Sequence, residues 1–185
     1  MEAPKITVVK ENKLVDYYTV RNGGEWGSIF IRSYKGGGIF SALTSFGDYS
    51  YHWGGVGEKT FKEFLSRLDY CYFMGKTTKR HGQIFDFEKS QKQLFKMIVD
   101  TRKSKEIDAV QAREFYEEVE SLEYCTSDDS WYHQIYSEDF NHELFELVIG
   151  DYENIPNETK ECPQCMGFWN RIYKPLIEEF KKEKE

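Results

Sequence analysis

The sequence predicts an α+β protein, with an N-terminal four- to five-stranded antiparallel β-meander followed by a helical C-terminal half. Two observations carry this prediction. The first 54 residues alternate apolar and polar side chains around the glycine-rich turns at 22–24 and 36–38. After Gly57 the apolar residues recur instead at helical spacing, beginning with Phe61, Phe64 and Leu65.

Five short segments of the N-terminal part are candidate strands, because they are rich in β-branched and aromatic residues and are bounded by turns. They are residues 6–9, 15–21, 26–33, 39–46 and 49–53. Within 26–33, one predicted face carries Trp26, Ser28, Phe30 and Arg32, and the other carries Gly27, Ile29, Ile31 and Ser33. The alternation predicts one buried face and one exposed face.

The remaining chain is predicted as a series of helices. The first runs from about residue 59 to Gly75, the second covers 88–103, and the third begins after Asp108, a favoured N-cap residue. Shorter helices are predicted at 131–136 and 139–148. The last begins at Pro163, and Pro175 should distort it because proline lacks a backbone N–H.

These elements suggest three regions in a chain of 185 residues. Residues 1–75 are predicted as a sheet with a packed helix, 76–87 as a basic loop, and 88–185 as a helical region with an acidic surface. A single compact domain that contains all three is equally compatible with this length.

Charge is sorted along the chain. Residues 55–105 contain twelve Lys or Arg against six Asp or Glu, a net charge of +6. Residues 106–160 contain two against sixteen, a net charge of −14, and the whole chain has a net charge of −7. Such an uneven field selects binding partners by their charge, so the sequence favours a binding function.

The acidic segment interleaves carboxylates with aromatic side chains, a combination that suits the basic groove of a partner and can imitate nucleic acid. The candidate partner-binding residues are Glu114, Glu117, Glu118, Asp128, Asp129, Trp131, Tyr132, Glu138 and Asp139. Two other interpretations stay open. The acidic face could serve only solubility, or it could pack against the basic half of the same chain.

The basic segment offers a second kind of partner, because lysines at helical spacing can contact phosphates. The candidate nucleic-acid-binding residues are Lys76, Lys79, Arg80, Lys89, Lys92 and Lys96. The negative charge of the whole chain makes this the lesser hypothesis, since dedicated nucleic-acid binders are usually basic overall.

Four cysteines raise the question of a metal. Cys162 and Cys165 have a spacing that zinc sites use, and Cys125 with His133 or His142 would have to complete the site. A redox pair is another interpretation, although the βαβ context of that motif is missing. Because no second cysteine pair exists, we favour free thiols and expect no cofactor and no metal.

No linear motif indicates catalysis. The stretch 53–60 resembles a phosphate-binding loop, but Glu58 separates its last glycine from Lys59. Gly75-Lys76-Thr77 matches the end of that motif, but Tyr70 occupies the position of its leading glycine. We therefore predict that the protein is not an enzyme.

Nothing in the sequence indicates secretion or membrane insertion. The N-terminal residues lack the apolar run of a signal peptide, and no stretch approaches 18 apolar residues. We expect a protein that acts in the cytoplasm, without a membrane partner.

Several segments resemble small accessory proteins of tailed bacteriophages and prophages. The segments are 26–31, 46–53, 60–65, 68–70, 112–116, 163–164 and 167–169. The resemblance implies a phage protein made in the host bacterial cytoplasm that binds a host protein or nucleoprotein complex. It favours an inhibitor of a defence system, such as an anti-CRISPR or anti-restriction protein. The alternative is an accessory protein that binds nucleic acid directly.

Overall fold

The computed structural model describes residues 14–137 and 140–183. These residues confirm the predicted α+β class, with a four-stranded antiparallel sheet followed by a helical C-terminal half. The predicted strand at 6–9 lies outside the described residues. The chain divides into two compact units: the first combines Met1–Gly82 with Pro163–Glu185, and the second is Gln83–Cys162. This division differs from the predicted regions, because the last helical segment belongs with the sheet.

The sheet of the first unit is a meander in which each strand pairs with the next one along the chain. Its strands are β1 (Asp16–Asn22), β2 (Glu25–Tyr34), β3 (Gly37–Thr44) and β4 (Gly47–Trp53). Ile29 and Ile31 are 0% and 1% exposed, whereas Trp26 and Phe30 are 41% and 39% exposed. The predicted assignment of the two faces of β2 is therefore confirmed.

Two helices follow the sheet where the sequence predicted one. Helix α1 (Phe61–Arg67) ends at Leu68, and α2 (Tyr70–Thr77) begins after Asp69. The Asp69 carboxylate accepts a hydrogen bond from the backbone N–H of Tyr72 at 2.8 Å, so this residue caps a new helix and does not continue the first. Helical periodicity alone does not reveal such a break.

The second unit is helical, with one small sheet. It contains β5 (Gln83–Phe85), α3 (Phe87–Ser104), α4 (Ala109–Glu120), α5 (Asp128–Ile135), α6 (His142–Val148), a 3-10 helix (Tyr152–Asn154) and β6 (Thr159–Glu161). Strands β5 and β6 pair antiparallel, although β5 lies in the stretch 76–87 that the sequence predicted as a loop. The helices surround a core that includes Leu94, Phe115, Trp131 and Phe145.

The C-terminal segment returns to the first unit and packs on the sheet. It consists of α7 (Pro163–Phe168), a π-helical stretch (Trp169–Tyr173) and α8 (Lys174–Lys182). The π-helical stretch contacts β1 and β2, and α8 contacts α1 and β1. The predicted distortion near Pro175 is thus present as a π-helical stretch immediately before this residue.

Within residues 14–137 and 140–183, no helix combines the length and apolar character needed to cross a bilayer.

Candidate functional site

The charge asymmetry of the sequence coincides with the two compact units. The second unit contains 8 Lys or Arg against 20 Asp or Glu, a net charge of −12. The first unit contains 17 against 12, a net charge of +5. The acidic candidate residues all belong to the second unit, so its surface is where a functional site for a basic partner has to be sought.

Residues 114–159 contain fourteen carboxylates and neither a lysine nor an arginine. Two of the described carboxylates form ion pairs with residues outside the segment: Glu117 with Arg113 at 2.6 Å, and Glu158 with Lys89 at 3.6 Å. The charge of Glu120 also acts on Arg113, without forming an ion pair with it. Glu114 and Glu120 are exposed and form no ion pair with any residue that the structure describes.

Helix α4 presents several of these carboxylates to solvent. Its N-terminus is fixed by a capping box, in which the Asp108 carboxylate accepts from the backbone N–H of Gln111, and the Gln111 side chain accepts from that of Asp108. Phe115 and Val119 face the core, which leaves Glu114 and Glu120 on the outside. The helical spacing of the sequence therefore determines which carboxylates a partner can reach.

Glu118 differs from its neighbours because it has an internal role. Its carboxylate accepts a hydrogen bond of 2.6 Å from the backbone N–H of Asn141, the N-cap residue of α6. Burial raises the pKa of Glu118, and the Asn141 N–H and the nearby His142 oppose this shift. Glu118 thus joins α4 to the start of α6, and only part of its side chain is open to a partner.

Helix α5 begins at a surface concavity of about 520 Å³. Ser127 caps the helix by accepting from the backbone N–H of Ser130 at 3.2 Å, which places Asp128 and Asp129 in the first turn. Asp129 lines the concavity together with the carboxylate of Glu123 and the 65% exposed ring of Tyr124. This corner combines an exposed aromatic ring with two carboxylates.

The predicted role of Trp131 has to be corrected. The sequence predicted an aromatic anchor for a partner, but the side chain is 0% exposed. Its indole N–H donates a hydrogen bond of 2.9 Å to the carbonyl oxygen of Pro156, and its ring packs against Phe85 and Phe87. The turn of α5 directs this side chain into the core, so Trp131 stabilises the fold and is unavailable to a partner.

The other predicted residues near α5 have different positions. Tyr132 is half-buried, and its hydroxyl accepts a hydrogen bond of 3.2 Å from the side-chain amide of Asn157. Glu138 and Asp139 lie outside the described residues, so their assignment stays a prediction.

Tyr132 belongs to a group of rings that linear spacing does not predict. This tyrosine group consists of Tyr132, Tyr136 and Tyr152. The ring centroids of Tyr136 and Tyr152 are 4.5 Å apart, and those of Tyr132 and Tyr136 are 6.2 Å apart. Tyr136 and Tyr152 are 43% and 47% exposed. The sequence shows the tyrosines but not their contact, because Tyr152 comes from the 3-10 helix beyond α6.

Comparison with known proteins identifies the family. A family model described as a phage family, Phage_phiTE_072, matches residues 7–182. The chain belongs to this phage family. No curated protein and no solved structure gives a significant match. The predicted resemblance to phage proteins is therefore confirmed at the level of the family.

The predicted basic residues of this phage protein divide between the two units. In the first unit, the Lys76 ammonium lies 5.6 Å from the ring centroids of both Tyr51 and Tyr72. Lys79 and Arg80 are exposed after α2. In the second unit, three lysines of α3 line one concavity of about 420 Å³ with Gln93 and Glu158: Lys89, Lys92 and Lys96.

None of the four cysteines forms a disulfide bond. Cys71 is exposed, Cys125 and Cys162 are partly exposed, and Cys165 is buried. Burial raises the pKa of the Cys125 thiol, which favours its neutral form. Within residues 14–137 and 140–183, no group of three or more His, Cys, Asp or Glu side chains is placed to hold a metal ion.

Proposed function

We propose that this phage protein is a non-enzymatic interaction protein that binds a host macromolecular assembly through the acidic surface of its second unit. One observation carries the proposal: the fourteen carboxylates of residues 114–159 have no lysine or arginine within the same segment. An exposed carboxylate such as Glu114 therefore directs its potential at solvent and at approaching molecules.

A partner for this surface should present a basic, concave face. Complementary electrostatic potentials accelerate the association of two proteins and fix their relative orientation. Exposed tyrosines add contact area at a low entropic cost. Tyr124 at 65% and Tyr116 at 39% exposure accompany the carboxylates of α4 and α5. Proteins that bind nucleic acid have such basic grooves. A host defence nuclease, such as a CRISPR or restriction complex, is therefore the target class that we favour, and occupation of its groove would inhibit it.

The first experiment identifies the partner. The protein is produced with an affinity tag during infection of the host, and co-purifying proteins are identified by mass spectrometry. The proposal expects one host assembly in stoichiometric amount. The affinity between the protein and this assembly should also fall as the salt concentration rises, because salt screens exposed charges at an interface.

Charge reversal then tests the surface. The variant Glu114→Lys/Glu120→Lys alters exposed residues that form no internal ion pair in the described part of the chain. We expect affinity to drop at least about tenfold, since like charges opposed at an interface cost several kcal/mol. The control is Asp48→Lys/Glu179→Lys, which makes the same change in net charge on the first unit and also removes the exposed ion pair between Glu179 and Lys182. Equal affinity of both variants and the wild type would refute the proposal.

A second candidate function is direct binding of nucleic acid through α3. It is favoured by the convergence of Lys89, Lys92 and Lys96 on one concavity. Lys92 and Lys96 are exposed and form no ion pair with described residues, whereas Lys89 forms an ion pair with Glu158. Lys92 and Lys96 together could neutralise two phosphates.

Fluorescence anisotropy with a labelled oligonucleotide tests this candidate. If Lys92 and Lys96 contact phosphates, the variant Lys92→Gln/Lys96→Gln should reduce the slope of log affinity against log salt by about 2. The matched control is Lys35→Gln/Lys59→Gln, which removes two exposed lysines of the first unit. An absence of binding by the wild type at low salt would eliminate the candidate.

A further inference from the structure

The tyrosine group forms an exposed aromatic surface that is held in place from behind. Tyr136 ends α5, Tyr152 begins the 3-10 helix, and their ring planes are inclined by 46°. Phe145 of α6 supports Tyr152, with 5.1 Å between ring centroids. The hydrogen bond from Asn157 fixes the Tyr132 hydroxyl. The rings are therefore positioned before any partner arrives, which lowers the entropic cost of binding.

The surroundings of this group favour a cation. The faces of aromatic rings carry negative potential and attract ammonium and guanidinium groups. Asp151 is the N-cap residue of the 3-10 helix that begins with Tyr152, so it adds a carboxylate at the end of the helix that carries this ring. Burial and then the neighbouring Tyr152, Tyr132 and Asp151 raise the pKa of Tyr136, so its phenol stays neutral at physiological pH.

Among the residues that the structure describes, no cation lies over the rings of the tyrosine group. The described lysines that lie over aromatic rings are Lys62 and Lys76, both in the first unit. The tyrosine group lies within the segment that contains no lysine or arginine. A cationic side chain of a partner therefore does not compete with a lysine or arginine of this segment for the rings.

We propose that Tyr136, Tyr152 and Asp151 form the anchor site for one arginine side chain of the partner. A guanidinium is planar and weakly hydrated, so it stacks on a ring while donating two hydrogen bonds to a carboxylate. A lysine ammonium is more strongly hydrated and would gain less. This inference rests on the proposed function, because it specifies which group of a basic partner the acidic surface recognises.

Hexa-arginine and hexa-lysine peptides are the probes, titrated into the full chain at low salt by calorimetry. The variants Tyr136→Leu and Tyr152→Leu remove one ring each but keep an apolar side chain. Each should weaken hexa-arginine binding by about 2- to 30-fold, the range of cation–π contributions, and hexa-lysine binding by less. Tyr136→Phe keeps the ring and should bind as the wild type does.

Tyr17→Leu is the control, because Tyr17 is an exposed tyrosine of the first unit, outside the proposed interface. It should leave both affinities unchanged, and thermal melting confirms that each variant is folded. Asp151→Asn should weaken hexa-arginine binding without altering melting. A ring shift of Tyr136 and Tyr152 in NMR spectra on addition of hexa-arginine, but not of Tyr17, would support the site directly.

Several results would overturn the anchor. They are an absence of hexa-arginine binding by the wild type, unchanged affinity in both ring variants, an equal loss in Tyr17→Leu, or equal losses for the two peptides. The proposed function fails separately, when Glu114→Lys/Glu120→Lys leaves capture of the host assembly intact. Loss of capture in that variant together with unaffected ring variants would remove the anchor and retain the acidic interface.

Discussion

The side-chain amide of Asn22 donates a hydrogen bond of 3.1 Å to the backbone carbonyl oxygen of Arg171. In a regular α-helix this oxygen would accept from the backbone N–H of residue 175, which is a proline and has none. The helix instead forms its π-helical stretch, in which the Lys174 N–H bonds to Trp169. Asn22, at the end of β1, thus provides a donor that Pro175 cannot, and connects the C-terminal segment to the sheet.

A double-mutant cycle tests this relationship. Asn22→Ala should lower the free energy of unfolding by about 1 kcal/mol, the usual net contribution of one hydrogen bond. In a Pro175→Ala background the same change should cost less, because residue 175 then supplies its own N–H to Arg171. Urea unfolding of the four proteins measures the coupling. An identical cost of Asn22→Ala in both backgrounds would disprove it.

The two faces of β2 allow a matched comparison of neighbouring residues. Ile29→Ala removes a side chain that is 0% exposed and should destabilise the protein by about 2–5 kcal/mol. Phe30→Ala removes a larger side chain that is 39% exposed and packs on Tyr17, and should cost about 1 kcal/mol or less. Denaturant midpoints of the two variants give the comparison. A larger cost for Phe30→Ala would show that something covers this face of the sheet.

Local signals explain which parts of the fold the sequence could predict. Asp108 with Gln111 marks the start of α4, and alternation identifies the buried face of β2, because both depend on near neighbours in the chain. The pairing of Gln83–Phe85 with Thr159–Glu161 depends on residues far apart in sequence, and Lys160 and Glu161 have low strand propensity. The return of the C-terminal segment to the sheet was not predicted for the same reason.

The candidate site likewise has features that the sequence predicts and features that it does not. The concentration of carboxylates is a property of composition and could be predicted in full. The roles of individual aromatic residues could not, because Trp131 and Tyr132 are adjacent and only the rotation of α5 decides that one is buried. Equally, the contact between Tyr136 and Tyr152 depends on the path of the chain through α6.

Acid should loosen the attachment of the C-terminal helix. The Glu183 carboxylate accepts hydrogen bonds of 2.7 Å from both Lys62 and Tyr18, and these bonds hold its pKa below the ordinary value of 4.5. Because the folded pKa is lower than the unfolded one, the stabilisation is complete above pH 4.5 and disappears as pH falls through the folded pKa. Glu183→Gln should therefore lower the melting temperature at pH 7, and the two proteins should converge once the pH falls below the folded pKa of Glu183. A constant difference across this range would contradict the assignment.

The contribution of Glu118 to stability should have the opposite dependence on pH. Burial raises its pKa, so the folded state binds the proton more tightly and gains stability as pH falls through the folded pKa. Glu118→Gln removes the buried charge but keeps an oxygen to accept from Asn141, and should match or exceed the wild type in stability at pH 7. Glu118→Ala loses the acceptor and should cost about 1–3 kcal/mol. Unfolding at pH 7 and at pH 4.5 distinguishes them, and equal destabilisation by Gln and Ala would refute this role.

Trp131 offers a test that separates folding from binding. Trp131→Phe removes the indole N–H that donates to Pro156 and leaves unfilled volume beside Phe85 and Phe87. We expect a loss of about 2–3 kcal/mol in unfolding free energy, from the unpaired carbonyl and the cavity together. The affinity of the folded fraction for the host partner should stay unchanged, because a side chain with 0% exposure cannot reach it. Tyr132→Phe is the control at the next position, where only the bond from Asn157 is lost. Reduced affinity of Trp131→Phe at unchanged stability would mean that α5 reorients when the partner binds.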